Sequence, residues 1–193
     1  MNNRNNRAVN IDGVDIEFHL HAPFFSNPKS KVITERGVVA DWLKLRFHGC
    51  IHEFKREDVR DPPDVALRDS ANKRYGIEVT ELVDQECRKN AAKYGKAESI
   101  WFSKEEITKR LNEVIAKKSE KKFNGEPFDM KVLLIHSDEA SIAYGEGPDH
   151  ISQFPKIPHS KFGEIWVVLP PALSTSPETG SMDCRIIKIS LDS

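Results

Sequence analysis

Two acids interrupt two short apolar runs in the middle of the chain. Asp64 opens Val65-Ala66-Leu67, Glu78 sits inside Ile77-Glu78-Val79, and the polar residues 69–74 lie between them. Side chains of a strand alternate between its faces, so Val65 and Leu67 point away from Asp64 and Arg68, and Ile77 and Val79 away from Glu78 and Thr80. The pattern predicts a β-hairpin with one acid on each strand. Pro62 and Pro63 fit it because they precede the first strand, where no ladder donor is needed. An acid in a run that otherwise wants burial costs free energy unless a charge pairs with it. A divalent cation is the simplest such partner. Two carboxylates on adjacent strands, with the carbonyl of Val79, make a hard oxygen site suited to magnesium or manganese, and such sites serve phosphoryl chemistry. The ordinary alternative is a Pro-Asp turn at Asp64 and an ion pair between Glu78 and Arg68 or Lys73.

In Pro63-Asp64 and Glu78-Val79-Thr80 the chain resembles the PD-(D/E)xK nuclease superfamily, over roughly residues 30–95. The resemblance implies an α/β fold with a restriction-endonuclease-like α-β-β-β-α-β core, its mixed central sheet flanked by helices. It implies Asp64, Glu78 and the Val79 carbonyl as ligands of magnesium or manganese, and hydrolysis of phosphodiester bonds, of DNA rather than RNA because the family acts mostly on DNA. The family supplies a third carboxylate from the helix upstream, and Glu35 is matched to it, orienting the water on the metal. Glu35 also has an ordinary role open to it, favouring the helix dipole from the first turn by roughly 0.3–1 kcal/mol.

One position departs from the family. A lysine is expected two residues after the second acid, and Thr80 stands there. The cation that stabilises developing charge must then come from elsewhere: Lys89, on the helix expected after Leu82, is the first choice and Lys73 the second. Thr80 also admits a second function, an inactive nuclease-fold protein serving as a nucleic-acid-binding or protein-interaction module. Retention of Glu35, Asp64 and Glu78 together favours the enzyme.

The elements that must position these residues follow from the rest of the pattern. A chain of 193 residues suits one core, so residues 13–193 are expected as one domain after a mobile tail at 1–12. Val14, Ile16, Phe18 and Leu20 alternate with polar residues as a half-exposed strand, expected to join the central sheet. Val39, Trp42, Leu43 and Phe47 recur at helical spacing over 32–47, with Ser30 as the cap; Glu35, four residues before Val39, shares their stripe. Residues 50–54 are expected as the first core strand and 55–61 as a charged turn. His48-Gly49-Cys50-Ile51-His52 lacks the spacing of structural zinc sites. Ser103 and Glu106 make a capping box for a helix whose stripe is Ile107, Leu111, Val114 and Ile115. Residues 130–135 and 162–169 are continuous apolar runs, as in strands covered on both faces, and 184–191 are expected as a last, edge strand.

Charge and cysteine content bound the partners. Twenty-nine basic and thirty acidic residues leave a net charge of −1, so no global field draws the protein to nucleic acid. Residues 88–122, however, hold eleven Lys or Arg against five Glu. This basic segment is expected to meet a phosphate backbone through Lys117, Lys118, Lys121 and Lys122, or else to be a solvated helix face. Three widely spaced cysteines suggest reduced thiols, no apolar run approaches a membrane span, and the expected location is cytoplasmic. The expected partner is nucleic acid, with a homodimer left open.

Overall fold

The computed structural model describes residues 6–11, 14–19, 28–48, 54–57, 62–83, 101–124, 127–157, 160–170 and 184–192, with backbone alone before Glu35. In chain order the elements are β1 (Asn6–Ile11), β2 (Val14–His19), α1 (Pro28–Arg46), β3 (Lys55–Glu57), β4 (Val65–Arg68), β5 (Arg74–Glu81), α2 (Lys104–Ser119), β6 (Met130–His136), α3 (Ala140–Ala143), α4 (Gly147–Ser152), β7 (Glu164–Leu169) and β8 (Arg185–Ile189). The fold is α/β. Strands β3 to β8 form a six-stranded sheet in sequence order. Its first three strands are antiparallel, β5, β6 and β7 are parallel, and β8 closes the far edge antiparallel to β7.

Alternation along the strands splits the core into two layers. Ile77 and Val79 of β5, Val132 and Leu134 of β6, and Trp166 and Val168 of β7 pack with Val38, Val39, Trp42 and Leu43 of α1. Leu133, Ile135, Ile165, Val167 and Leu169 face the opposite way and pack with Ile107, Leu111 and Ile115 of α2. The central strands are therefore apolar on both faces, as the continuous runs predict. Helix α2 begins where its capping box predicts: the Glu106 N–H donates to Ser103 Oγ, and the Ser103 N–H to Glu106 Oε2 at 2.8 Å. Among the described residues no helix is long and apolar enough to cross a membrane.

Four expectations need correction. The strand at 14–19 does not join the central sheet; it pairs with β1 in a separate antiparallel hairpin of register Ile11↔Val14 to Asn6↔His19. Asn6–Ile11, expected within a mobile tail, is thus a strand, and the intervening Asp12-Gly13 is a sequence that favours two-residue hairpin turns. Helix α1 starts at Pro28, because proline suits the first helical position, so Ser30 lies inside the helix. The first strand of the sheet is Lys55–Glu57, in the stretch expected as a charged turn. Its charge is satisfied across the strands, Glu57 accepting from Arg68 Nε at 2.7 Å and Arg74 Nε at 2.8 Å, and charged residues suit an edge strand. Residues 50–53, including Cys50 and His52, lie outside the described residues.

Gly76 shows how tightly β5 is covered on its α2 side. A Cβ there would stand 2.8 Å from Phe123 Cδ2 and 2.9 Å from Phe128 Cγ. Overpacking of this kind forces rings off their rotamers. Gly76→Ala is expected to lower the free energy of unfolding by about 1–3 kcal/mol, read from urea denaturation.

Candidate active site

Glu78 is the polar exception on a buried face. It lies on β5 between Ile77 and Val79, which point to the α1 layer, so its carboxylate points to the α2 layer and is 0 % exposed. Its register partner on β6 is Leu133, itself in the apolar α2 layer. A carboxylate removed from water without a partner costs several kcal/mol. Helix α2 supplies the partner from forty residues away: Lys118 Nζ donates to Glu78 Oε1 at 2.6 Å and to the Val79 carbonyl at 3.2 Å. Just past the helix, Lys121 Nζ donates to the same Oε1 at 2.6 Å.

The helix period explains this reach. Lys118 lies seven residues after Leu111 and three after Ile115, so it continues the buried stripe. Its alkyl stem follows the core while the ammonium reaches the carboxylate. Lys118 is 16 % exposed and Lys121 43 %. Both lysines were expected on a phosphate backbone; the stripe through Leu111 and Ile115 was the signal that one of them turns inward. Lys117 and Lys122 are exposed.

Asp64 joins Glu78 as the hairpin requires. Val65 pairs with Ile77, so the residue before Val65 comes beside Glu78 and Val79, and the Val79 N–H donates to Asp64 Oδ2 at 2.7 Å. The Asp64 carboxyl is pushed up to about 6, chiefly by burial and next by the charge of Glu78, with Glu35 adding to the rise and the Val79 N–H and Lys118 opposing it. Glu35 is buried on α1 and is close enough to act on Asp64. Lys161 is a further cation near Glu78. Burial, then the charge of Lys131, lowers its pKa, while Glu78 acts the other way. No sequence signal pointed to it.

The structure thus brings together Glu35, Asp64, Glu78, Val79, Lys118 and Lys121. Thr80 is half-buried on the same face of β5 as Glu78. Lys89 lies outside the described residues, as does the helix expected around Gln85. Lys73 turns to the Tyr75 ring, 5.4 Å from its centroid, and Arg68 pairs with Glu57; neither is the partner of Glu78.

Among the described residues no group of three or more His, Cys, Asp or Glu side chains is arranged to hold a metal ion. Two carboxylates and a backbone carbonyl are oxygen donors of the kind a hard cation takes, and here Glu78 Oε1 and the Val79 carbonyl accept from Lys118. Glu78 Oε2 is buried and has no hydrogen-bond partner among the described residues, which leaves one carboxylate oxygen for such an ion. Comparison with protein-family models, with curated proteins and with solved structures finds no match, so geometry carries the functional reading.

Two outcomes test these electrostatics. The folded state holds the Asp64 proton more tightly than an unfolded chain does, so the ionised group opposes folding, and stability falls as pH rises from about 4 through about 6. Asp64→Asn, which keeps an acceptor for Val79, is expected to be more stable than the wild type at pH 8 by about 1–3 kcal/mol, with the gap closing below pH 4 in urea titrations. Removing one partner of a buried pair costs about 3–5 kcal/mol, against about 1 or less for an exposed one. Lys118→Met should therefore lower the melting temperature clearly more than Lys121→Met, as calorimetry would show.

Proposed function

We propose that the Asp64–Glu78 site is that of a metal-dependent phosphodiester hydrolase of the PD-(D/E)xK type, acting on DNA, in which Lys118 of α2 and Lys121 just past it replace the motif lysine. The observation that carries this is the convergence of Lys118 Nζ and Lys121 Nζ on Glu78 Oε1, each at 2.6 Å. It sets ammonium groups beside the second acid, where Thr80 has none to offer. The order α1, β3, β4, β5 agrees with the start of a restriction-endonuclease-like core.

In this reading Asp64, Glu78 and the Val79 carbonyl hold magnesium or manganese. The ion, when bound, lowers the pKa of a water and places positive charge at the phosphate. Lys118 fixes the Glu78 carboxylate in the apolar layer. Lys121, the more exposed of the two, is the cation a phosphate reaches, and it stabilises charge developing on the phosphate oxygens. Glu35 adds negative charge on the α1 side, suited to orient the attacking water.

A second reading draws on the same contact. An ammonium already bonded to Glu78 Oε1 and the Val79 carbonyl satisfies the acid without a metal, as suits an inactive nuclease-fold protein that binds nucleic acid or another protein. Manganese decides between them. For the hydrolase it raises the melting temperature through linkage, Asp64→Ala or Glu78→Ala removes that shift, and the wild type nicks plasmid DNA. Cleavage is then expected to fall at least about 100-fold in Lys118→Met/Lys121→Met, and to recover in part when Thr80→Lys is added. A melting curve indifferent to manganese, with no cleavage by any divalent metal, would leave the inactive module.

A further inference from the structure

Of the three tryptophans, Trp42 and Trp166 are buried in the α1 layer, whereas Trp101 is 68 % exposed. It stands two residues before the Ser103 cap of α2, at the rim of a cleft of about 440 Å³ between that end of α2 and the α3–α4 segment. Phe102 and Ile107 give the cleft apolar wall, and Lys104, Glu146 and His150 give it polar groups. Its volume lies within the range of small-ligand sites, which combine apolar lining with a few polar groups.

We propose that this cleft binds a base of an unpaired nucleic-acid strand, stacked on Trp101, with a phosphate at Lys104. For the class of ligand, the proposal rests on the phosphodiester reading of the Glu78 site. Three observations support it. An indole face left in water is the stacking platform that single-stranded nucleic acid uses. Lys104 pairs with Glu146 at 2.8 Å, between two exposed side chains, a pairing weak enough to yield to a phosphate. The third concerns His150. Thr108 Oγ1 donates its one proton to the Lys104 carbonyl at 2.9 Å and so accepts from His150 Nε2 at 2.8 Å. His150, held by that bond, is a further polar group in the cleft wall, of the kind that orients a base.

Helix α2 links the cleft to the acid site. Lys104 and Lys118 are fourteen residues apart, about 21 Å along the axis at 1.5 Å per residue, a span of several nucleotides. The exposed Lys109 and Lys117 lie on the same helix between them. A single strand with one base on Trp101 would thus carry a phosphate several nucleotides away toward Glu78.

Tryptophan fluorescence tests this in chelator, where no cleavage occurs. A mixed-sequence single-stranded decanucleotide should quench the emission and bind more tightly than the same strand with abasic sites; adenosine monophosphate should quench more weakly. Strand affinity, followed by anisotropy of a labelled end, should fall about 5- to 150-fold in Trp101→Ala, be largely retained in Trp101→Phe, and fall at higher salt in Lys104→Gln less steeply than in the wild type. Trp101 is exposed, so an unchanged melting temperature will show that Trp101→Ala is folded. Equal affinity of wild type and Trp101→Ala, or of intact and abasic strands, overturns the proposal and leaves the Glu78 reading untouched. Trp101-dependent strand binding in a protein that cleaves nothing supports the cleft and overturns only the hydrolase.

Discussion

A fully buried glutamate is the constraint on which the arrangement of this protein depends. Glu78 occupies the α2 side of a central strand, where its register partner on β6 is the aliphatic Leu133. An ionised carboxylate can stay there only with cations close by, and their desolvation must be offset by good geometry and further hydrogen bonds. Lys118 meets those conditions, since its ammonium also donates to the Val79 carbonyl. The pair ties α2 to β5, beside the apolar packing of Ile107, Leu111 and Ile115. Replacing such a buried pair by aliphatic residues of similar volume is often neutral for stability.

Sheet topology delivers the rest of the site to the same place. The antiparallel β4–β5 pair brings Asp64 beside Glu78 without any long connection, and the Val79 amide and carbonyl serve the two halves of the cluster, one donating to Asp64 and the other accepting from Lys118. Helix α1 covers the opposite face with Trp42 and Leu43 and carries Glu35 inward on the same stripe. Burial raises the pKa of Asp64, and the charges of Glu78 and then Glu35 add to the rise. The electrostatic tension is what a bound cation would relieve.

The chain manages its other charges differently. At the β3 edge, Glu57 is shared by Arg68 and Arg74, a cross-strand network that turns a charged stretch into a strand. On the α1 side, Glu164 accepts from the Trp166 indole at 2.9 Å and from Lys188 at 3.1 Å, so this buried acid is already served by several donors. Glu78 differs in keeping an oxygen without a hydrogen-bond partner among the described residues, which sets it apart from the structural acids.

The sequence by itself determined the local elements and the anomalies within them. Alternation placed the hairpin strands, the apolar runs placed β6 and β7, the Ser103–Glu106 box placed the start of α2, and Glu35, Asp64 and Glu78 stood out as acids where apolar residues belong. These features were legible because side-chain periodicity and capping act over a few residues. Tertiary structure alone decided which cation serves Glu78: the choice fell on Lys118 of α2 and Lys121 just past it, 40 and 43 residues on from Glu78. It also decided that 14–19 pairs with β1 and that Lys55–Glu57 is a strand. Each of these depends on contacts between segments distant in sequence, where the pairing of charges and the burial of whole faces outweigh local preference.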